Sequence, residues 1–196
     1  MLAVLDESTP AHPDGLVYVI AGVVLLEDEH AAATAARAVL PAGRTNPFHW
    51  HREGPRARRA MIGSLCRMGA VAHVGAEPGV RPKRQEPARE AVLRRLLPRL
   101  LHEGADRLLV ESRGARLDAR DRAVLLDGLN AFGGARAMTY AWHTKADPAL
   151  WFADAVCGAA ADALTGRDAT PLAALHDAGV VDRIELGAAT ADAGSP

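Results

Sequence analysis

The run Val17-Tyr18-Val19-Ile20-Ala21-Gly22-Val23-Val24-Leu25-Leu26 constrains this chain more than any other feature. It is apolar throughout and rich in β-branched residues, so it reads as a strand. Alternate side chains of a strand point to opposite faces, so both faces of this one need cover, most simply from helices packed on a sheet. A mixed α/β layer fold follows. Upstream, Leu2 to Leu5 is a second apolar run ending in Asp6-Glu7-Ser8, and the turn residues Pro10, Pro13 and Gly15 predict an N-terminal β-hairpin. The longest apolar run is about half of the roughly 20 residues a membrane span needs, and the start lacks the basic region of a signal peptide. The expected location is the cytoplasm, with no membrane partner.

The rest of the chain alternates helices and strands. Asp28 caps a helix reaching Leu40, where Pro41-Ala42-Gly43 stops it. Asn46 to Gly54, with Phe48-His49-Trp50-His51, is a loop or short strand. A helix starts after Pro55 and runs to Met68 with Ile62, Leu65 and Cys66 inward and Arg56, Arg58 and Arg59 outward. Ala70 to Ala76 reads as a strand and Glu77 to Glu86 as a Pro-rich linker. Beyond them come a helix over Pro87 to His102, a strand over Arg107 to Glu111, and a helix opened by Asp118 and Asp121 that Gly133-Gly134 ends. Ala135 to Trp142 is a strand, Pro148 to Leu164 a helix, Pro171 to Ala178 a short helix and Val181 to Leu186 a final strand. No repeat or domain boundary shows, so residues 1–190 are expected to form a single domain and 191–196 a flexible tail.

The 196 residues are 49% hydrophobic but only 4% aromatic, so the core is built from Leu, Val and Ala. The two cysteines, Cys66 and Cys157, make neither a disulfide framework nor a zinc ribbon, and they suit a reducing compartment. A net charge of −1 hides an asymmetry: residues 1–40 carry six acidic side chains against Arg37, and residues 146–196 carry eight against Arg167 and Arg183. The middle is strongly basic. If the acidic ends fold together, a carboxylate cluster comes to lie beside a cationic groove, although an ordinary charged surface produces the same count.

Three carboxylates stand out. Asp6 ends the first apolar run, and its neighbour Glu7 points to the other face or into the turn. Glu111 ends Leu108-Leu109-Val110, so if the two strands are parallel neighbours, Asp6 and Glu111 meet at one sheet end. On the helix from Pro148, Leu150, Cys157, Gly158 and Ala161 fall within about 60° of Asp154, which puts this carboxylate on the apolar face. Asp162 lies about 80° away, more suited to a solvated surface position than to a flanking ligand. Converging carboxylates repel one another unless they are protonated or bind cations, and Mg²⁺ or Mn²⁺ is the natural occupant of such an oxygen-only site. Paired ions of this kind support phosphodiester hydrolysis. The alternative is a set of structural ion pairs with Arg or Lys.

The His49-Trp50-His51 spacing suits structural or substrate-edge roles better than a zinc site. Arg56, Arg59, Arg84, His143 and Lys145 are the candidate nucleic-acid contacts, with His143 and Lys145 at the same sheet end as the carboxylates. The basic stretch Arg81 to Arg107 can follow a phosphate backbone, or it is a solvated helix face with i,i+4 pairs such as Glu90 to Arg94. No Walker loop, GxGxxG, GxSxG or HExxH is present, which removes the usual support for the corresponding activities.

Leu5-Asp6-Glu7-Ser8 followed by Tyr18-Val19-Ile20-Ala21-Gly22-Val23-Val24 resembles the opening of the domain of unknown function 3800 family. Leu150-Trp151-Phe152-Ala153-Asp154 is similar to that family's C-terminal Leu-Gln-x-Ala-Asp helix motif, and Glu111-Ser112 falls between them, so the resemblance spans about residues 2 to 165. Thr9 and Trp151 replace the family's usual Gly and Gln. The resemblance implies a ribonuclease-H-like mixed sheet with helices on both faces. It implies that Asp6, Glu111 and Asp154 are catalytic metal-binding carboxylates, with Glu7 a fourth metal ligand. A divalent-metal-dependent nuclease acting on DNA or RNA is the leading expectation. A non-catalytic binding or regulatory module, of the kind found in defence or mobile-element systems, is the alternative. The two differ in whether a basic side chain sits between Asp6 and Asp154. The Ala/Leu-rich helices also suit a homodimer.

Overall fold

The computed structural model describes residues 1–44, 46–132 and 138–187. Among them, seven strands form one sheet: β1 (Leu2–Ser8), β2 (Ala11–His12), β3 (Gly15–Leu25), β4 (Val71–Val80), β5 (Arg107–Glu111), β6 (Thr139–His143) and β7 (Val181–Leu186). The order is β6-β5-β1-β3-β4-β7, with β2 paired to β3. β1, β3 and β4 make an antiparallel meander, whereas β5 and β6 run parallel to β1, and β7 runs parallel to β4. The sheet is mixed, as expected, and opens with the expected N-terminal hairpin.

The helices are α1 (Glu29–Ala38), α2 (Pro55–Met68), α3 (Gln85–His102), α4 (Ala115–Ala131), α5 (Leu150–Leu164) and α6 (Thr170–Asp177). The expected double burial of the central strand is borne out residue by residue. Val17, Val19, Ala21, Val23 and Leu25 pack into a core shared with α1, α2, α5 and α6, whereas Tyr18, Ile20 and Val24 pack into a second core with α3 and α4. The same alternation sorts β1: Leu2 and Val4 face α5, while Ala3 and Leu5 face α3 and α4. α5 is buried from Leu150 to Asp162, as a helix apolar nearly all round must be.

Three local readings change. Glu77 to Glu86 is not a linker: β4 continues to Val80 by pairing with β3, and a 3₁₀ turn over Pro82–Arg84 leads straight into α3. The ladder breaks register between Leu16 and Tyr18, opposite Pro78-Gly79, where proline has no N–H to donate. α4 begins at Ala115, not Asp118, because Asp118 instead accepts from Ser112 Oγ (2.7 Å) and Arg113 N (2.8 Å) and holds the loop before the helix. Trp50–Arg52 is a 3₁₀ turn. Residues 133–137, which include the Gly133-Gly134 stop and the start of the expected strand from Ala135, lie outside the described residues, as does the tail 191–196.

Candidate metal centre

Three elements deliver one carboxylate each to the same end of the sheet. β1 and β5 are parallel neighbours with Leu5 opposite Val110, so Asp6 and Glu111 are the next residues along each strand. Asp6 follows Val4 on the α5 side by the period of two, and Glu111 follows Leu109. α5 supplies Asp154 from above. All three are partners of a single side chain, Lys145, which the loop between β6 and α5 carries: its Nζ lies 2.6 Å from Asp154 Oδ1, 3.3 Å from Asp6 Oδ2 and 3.5 Å from Glu111 Oε2.

The charges there do not balance. Three carboxylates surround one ammonium, and Asp6 is only 2% exposed. Its Oδ1 accepts from Glu7 N at 2.7 Å, but its buried Oδ2 has no hydrogen-bond partner. The Asp6 carboxyl is pushed well above the usual carboxylate range, first by burial and then by a hydrogen bond with the Glu111 carboxylate, against the pull of Lys145. Asp154 goes the other way. Burial raises it, but His49, Lys145 and the Trp50 N–H outweigh burial and hold its pKa low. Burial alone would lower the Lys145 pKa, and the surrounding carboxylates more than reverse that.

A turn of chain braces Asp154 from behind. Trp50 N donates to Asp154 Oδ2 at 2.6 Å, and His49 Nδ1 lies 3.4 Å from Oδ1. The Trp50 indole crosses α5 at Gly158, where a Cβ would come within 2.2 Å of Trp50 Cγ, and its Nε1 donates to Asp162 Oδ2 at 2.7 Å. Asp162 is therefore no surface residue: it is 3% exposed and also meets Arg58 and Arg167. Arg58 is not free on the outer face of α2 either, since its guanidinium stacks 4.8 Å from the Trp50 ring centroid. His49 and Trp50 serve the structural role that their spacing favours.

Glu7 points through the sheet to the opposite side and is not brought to the three carboxylates. There it meets Arg89, Tyr18 and Arg113, and Arg89 also pairs with Asp121 Oδ2 at 2.8 Å. A cavity of about 460 Å³ at this sheet end joins the two sides. Its walls include Asp6, Glu7 and Glu111 together with Arg89, Arg113, Arg167 and His51. Arg56, Arg59 and Arg84 are exposed elsewhere and do not line it. Its arginines escaped the sequence reading because Arg89 and Arg113 look like solvated charges until α3 and the loop after β5 are folded onto the sheet. His143 is turned to Asp147, with Nδ1 2.7 Å from Oδ2. With Glu29 these two make the group of three, among the described residues, whose metal-ligating atoms all lie within 4.8 Å of one another, although Glu29 also pairs with Arg107.

The residues fit a hard divalent cation. The donors at Asp6, Glu111 and Asp154 are all oxygens, the cage keeps surplus negative charge with Lys145 counted, and the buried Asp6 Oδ2 makes no hydrogen bond, with the Lys145 ammonium 3.3 Å away. No helix among the described residues is long and apolar enough to cross a membrane.

No family model matches the sequence. No curated protein matches it either. Among solved structures, a chain of the PCNA:RNase HII complex from Archaeoglobus fulgidus aligns with 91% of this chain and 77% of its own length, at 16% identity and a TM-score of 0.47.

Proposed function

We propose that the chain is a Mg²⁺- or Mn²⁺-dependent phosphodiester hydrolase acting on nucleic acid, with Asp6, Glu111 and Asp154 as the ion's ligands. The observation that carries this reading is the meeting of three carboxylates, from β1, β5 and α5, around Lys145, two of which, Asp6 and Glu111, also line a cavity walled by arginines. When bound, the ion would polarise a phosphodiester and lower the pKa of an attacking water. The protein's own groups do the rest. Arg167 stands half exposed at the cavity wall to meet non-bridging phosphate oxygens, whereas the Arg113 guanidinium beside it is held by Glu86 and Asp121. His51 stands at the same wall, and partial burial lowers its pKa, which suits an imidazole that takes a proton from the attacking water. The same reading places the chain with the domain of unknown function 3800 family and, on its unpaired cysteines Cys66 and Cys157, in the cytoplasm.

A second reading has a specific observation behind it. The Lys145 ammonium stands between Asp6 and Asp154, so it supplies a cation without any metal, as a non-catalytic binding module would require. Calorimetric titration with Mn²⁺, run beside cleavage assays on single- and double-stranded DNA and RNA, separates the two. Wild type is expected to bind and cleave, and Asp154→Asn to lose both. Wild type that binds no Mn²⁺ and cleaves nothing establishes the second reading.

A further inference from the structure

The position of Lys145 has more to it than charge compensation. Its ammonium is the common partner of all three carboxylates, at 2.6, 3.3 and 3.5 Å, and so takes up the space between them. Its backbone is held there. Trp151 Nε1 donates to the Lys145 carbonyl at 2.8 Å. On either side, Asp147 N donates to Thr144 O at 2.9 Å and Asp147 Oδ1 accepts from Ala149 N at 3.0 Å. His143 grips the other carboxylate oxygen of Asp147. A lysine that merely met solvent at a loop would need none of these restraints.

We propose that Lys145 is a resident counter-ion of the cage, seated in the divalent-cation position, so that the ion enters only as the ammonium swings out. This rests on the cation-dependent reading above and adds a regulatory consequence to it. With the ammonium in place the carboxylates hold together and α5 stays docked on β1 and β5. A bound ion would take over that role of the ammonium at Asp6, Glu111 and Asp154. A cation of higher charge wins when its concentration suffices, because two like-charged ions a few ångströms apart repel strongly in a poorly solvated site. Metal affinity is thus set lower than the three ligands alone would dictate.

The test compares wild type, Lys145→Met and Trp151→Phe by Mn²⁺ calorimetry and by thermal melting, in chelator and in Mn²⁺. Lys145→Met keeps the length of the side chain and removes its charge. It is expected to melt below wild type in chelator, to recover that loss in Mn²⁺, and to bind Mn²⁺ at least about tenfold more tightly. Trp151→Phe keeps the buried ring and every charge but frees the loop carbonyl, and an affinity between the other two is expected. It also serves if Lys145→Met does not fold. Equal or weaker Mn²⁺ binding by the variants, where wild type binds, overturns the counter-ion proposal and leaves the nuclease reading standing. Absence of binding in wild type and variants alike overturns both.

Discussion

At the residue scale, the three carboxylates are legible for a simple reason. A charged side chain at the end of an apolar strand, or on the apolar stripe of a helix, is in conflict with its surroundings, and that conflict shows in a one-dimensional pattern. Asp162 was not legible, because its angle from Asp154 marks the flank of a stripe, and only the Trp50 indole lying across Gly158 turns that flank inward. Asp154, Gly158 and Asp162 are spaced by four, so the helix presents two acceptors with a gap between them. The gap admits the indole. Gly158→Ala should fill it, since a Cβ there would meet Trp50 Cγ at 2.2 Å. Overpacking of this kind is expected to cost about 1–3 kcal/mol, read as a lower urea midpoint. An unchanged midpoint would show that Trp50 can move off α5 freely.

At the scale of elements, the face opposite the candidate metal centre is locked by charge as well as by Leu and Val. Arg89 of α3 is 2% exposed and joins Asp121 of α4 to Glu7 of β1. Burial alone would pull its pKa down, and Asp121 and Glu7 more than reverse that, so the guanidinium stays charged. Arg113 adds Nη2 to Asp121 Oδ1 at 3.0 Å. Removing one member leaves the others buried and unpaired. Asp121→Ala is therefore expected to destabilise by about 3–5 kcal/mol in urea unfolding, whereas truncating the exposed Asp127 on the same helix should cost under about 1 kcal/mol. Similar losses from both would mean that the buried network contributes no more than a surface pair. None of this was visible in the sequence. The basic stretch from Arg81 has the composition of a solvated face, and Asp121 the position of a helix opener, until α3 and α4 are stacked on one side of the sheet.

At the scale of the whole molecule, the charge asymmetry of the chain becomes geometry. The acidic N-terminal part supplies Asp6 and the acidic C-terminal part Asp154, and β1 lies against α5. The basic middle sends Arg89 and Arg113 to the same sheet end, where Arg167 joins them. Such a distribution makes stability depend on pH in opposing ways. Glu86 has its pKa held below the ordinary value of 4.5 by its hydrogen bond from Arg113, so its contribution is present above that value and is lost as pH falls through the folded-state pKa. Asp6, raised by burial, favours the folded chain when protonated and loses that contribution as pH rises through its folded pKa. Urea midpoints of wild type and Glu86→Gln, compared at neutral pH and at a pH below 4.5, isolate the first effect. The variant is expected to lose less stability on acidification, and parallel falls would remove Glu86 from the account.

What the sequence by itself determined is whatever a period of two or of 3.6 can carry: the central strand buried on both faces, the opening hairpin, the mixed layers, and the three carboxylates that those periods point inward. Local pattern says which way a side chain faces along its own element, and no more. Only the tertiary structure decided what each inward charge meets, because partners more than a hundred residues apart, such as Trp50 and Asp154, are chosen by strand order and helix docking. Thus Glu7 found Arg89, and Asp162 found an indole. Lys145, nine residues before Asp154 in sequence, came to be the cation among three carboxylates because the loop that carries it folds back over the sheet end.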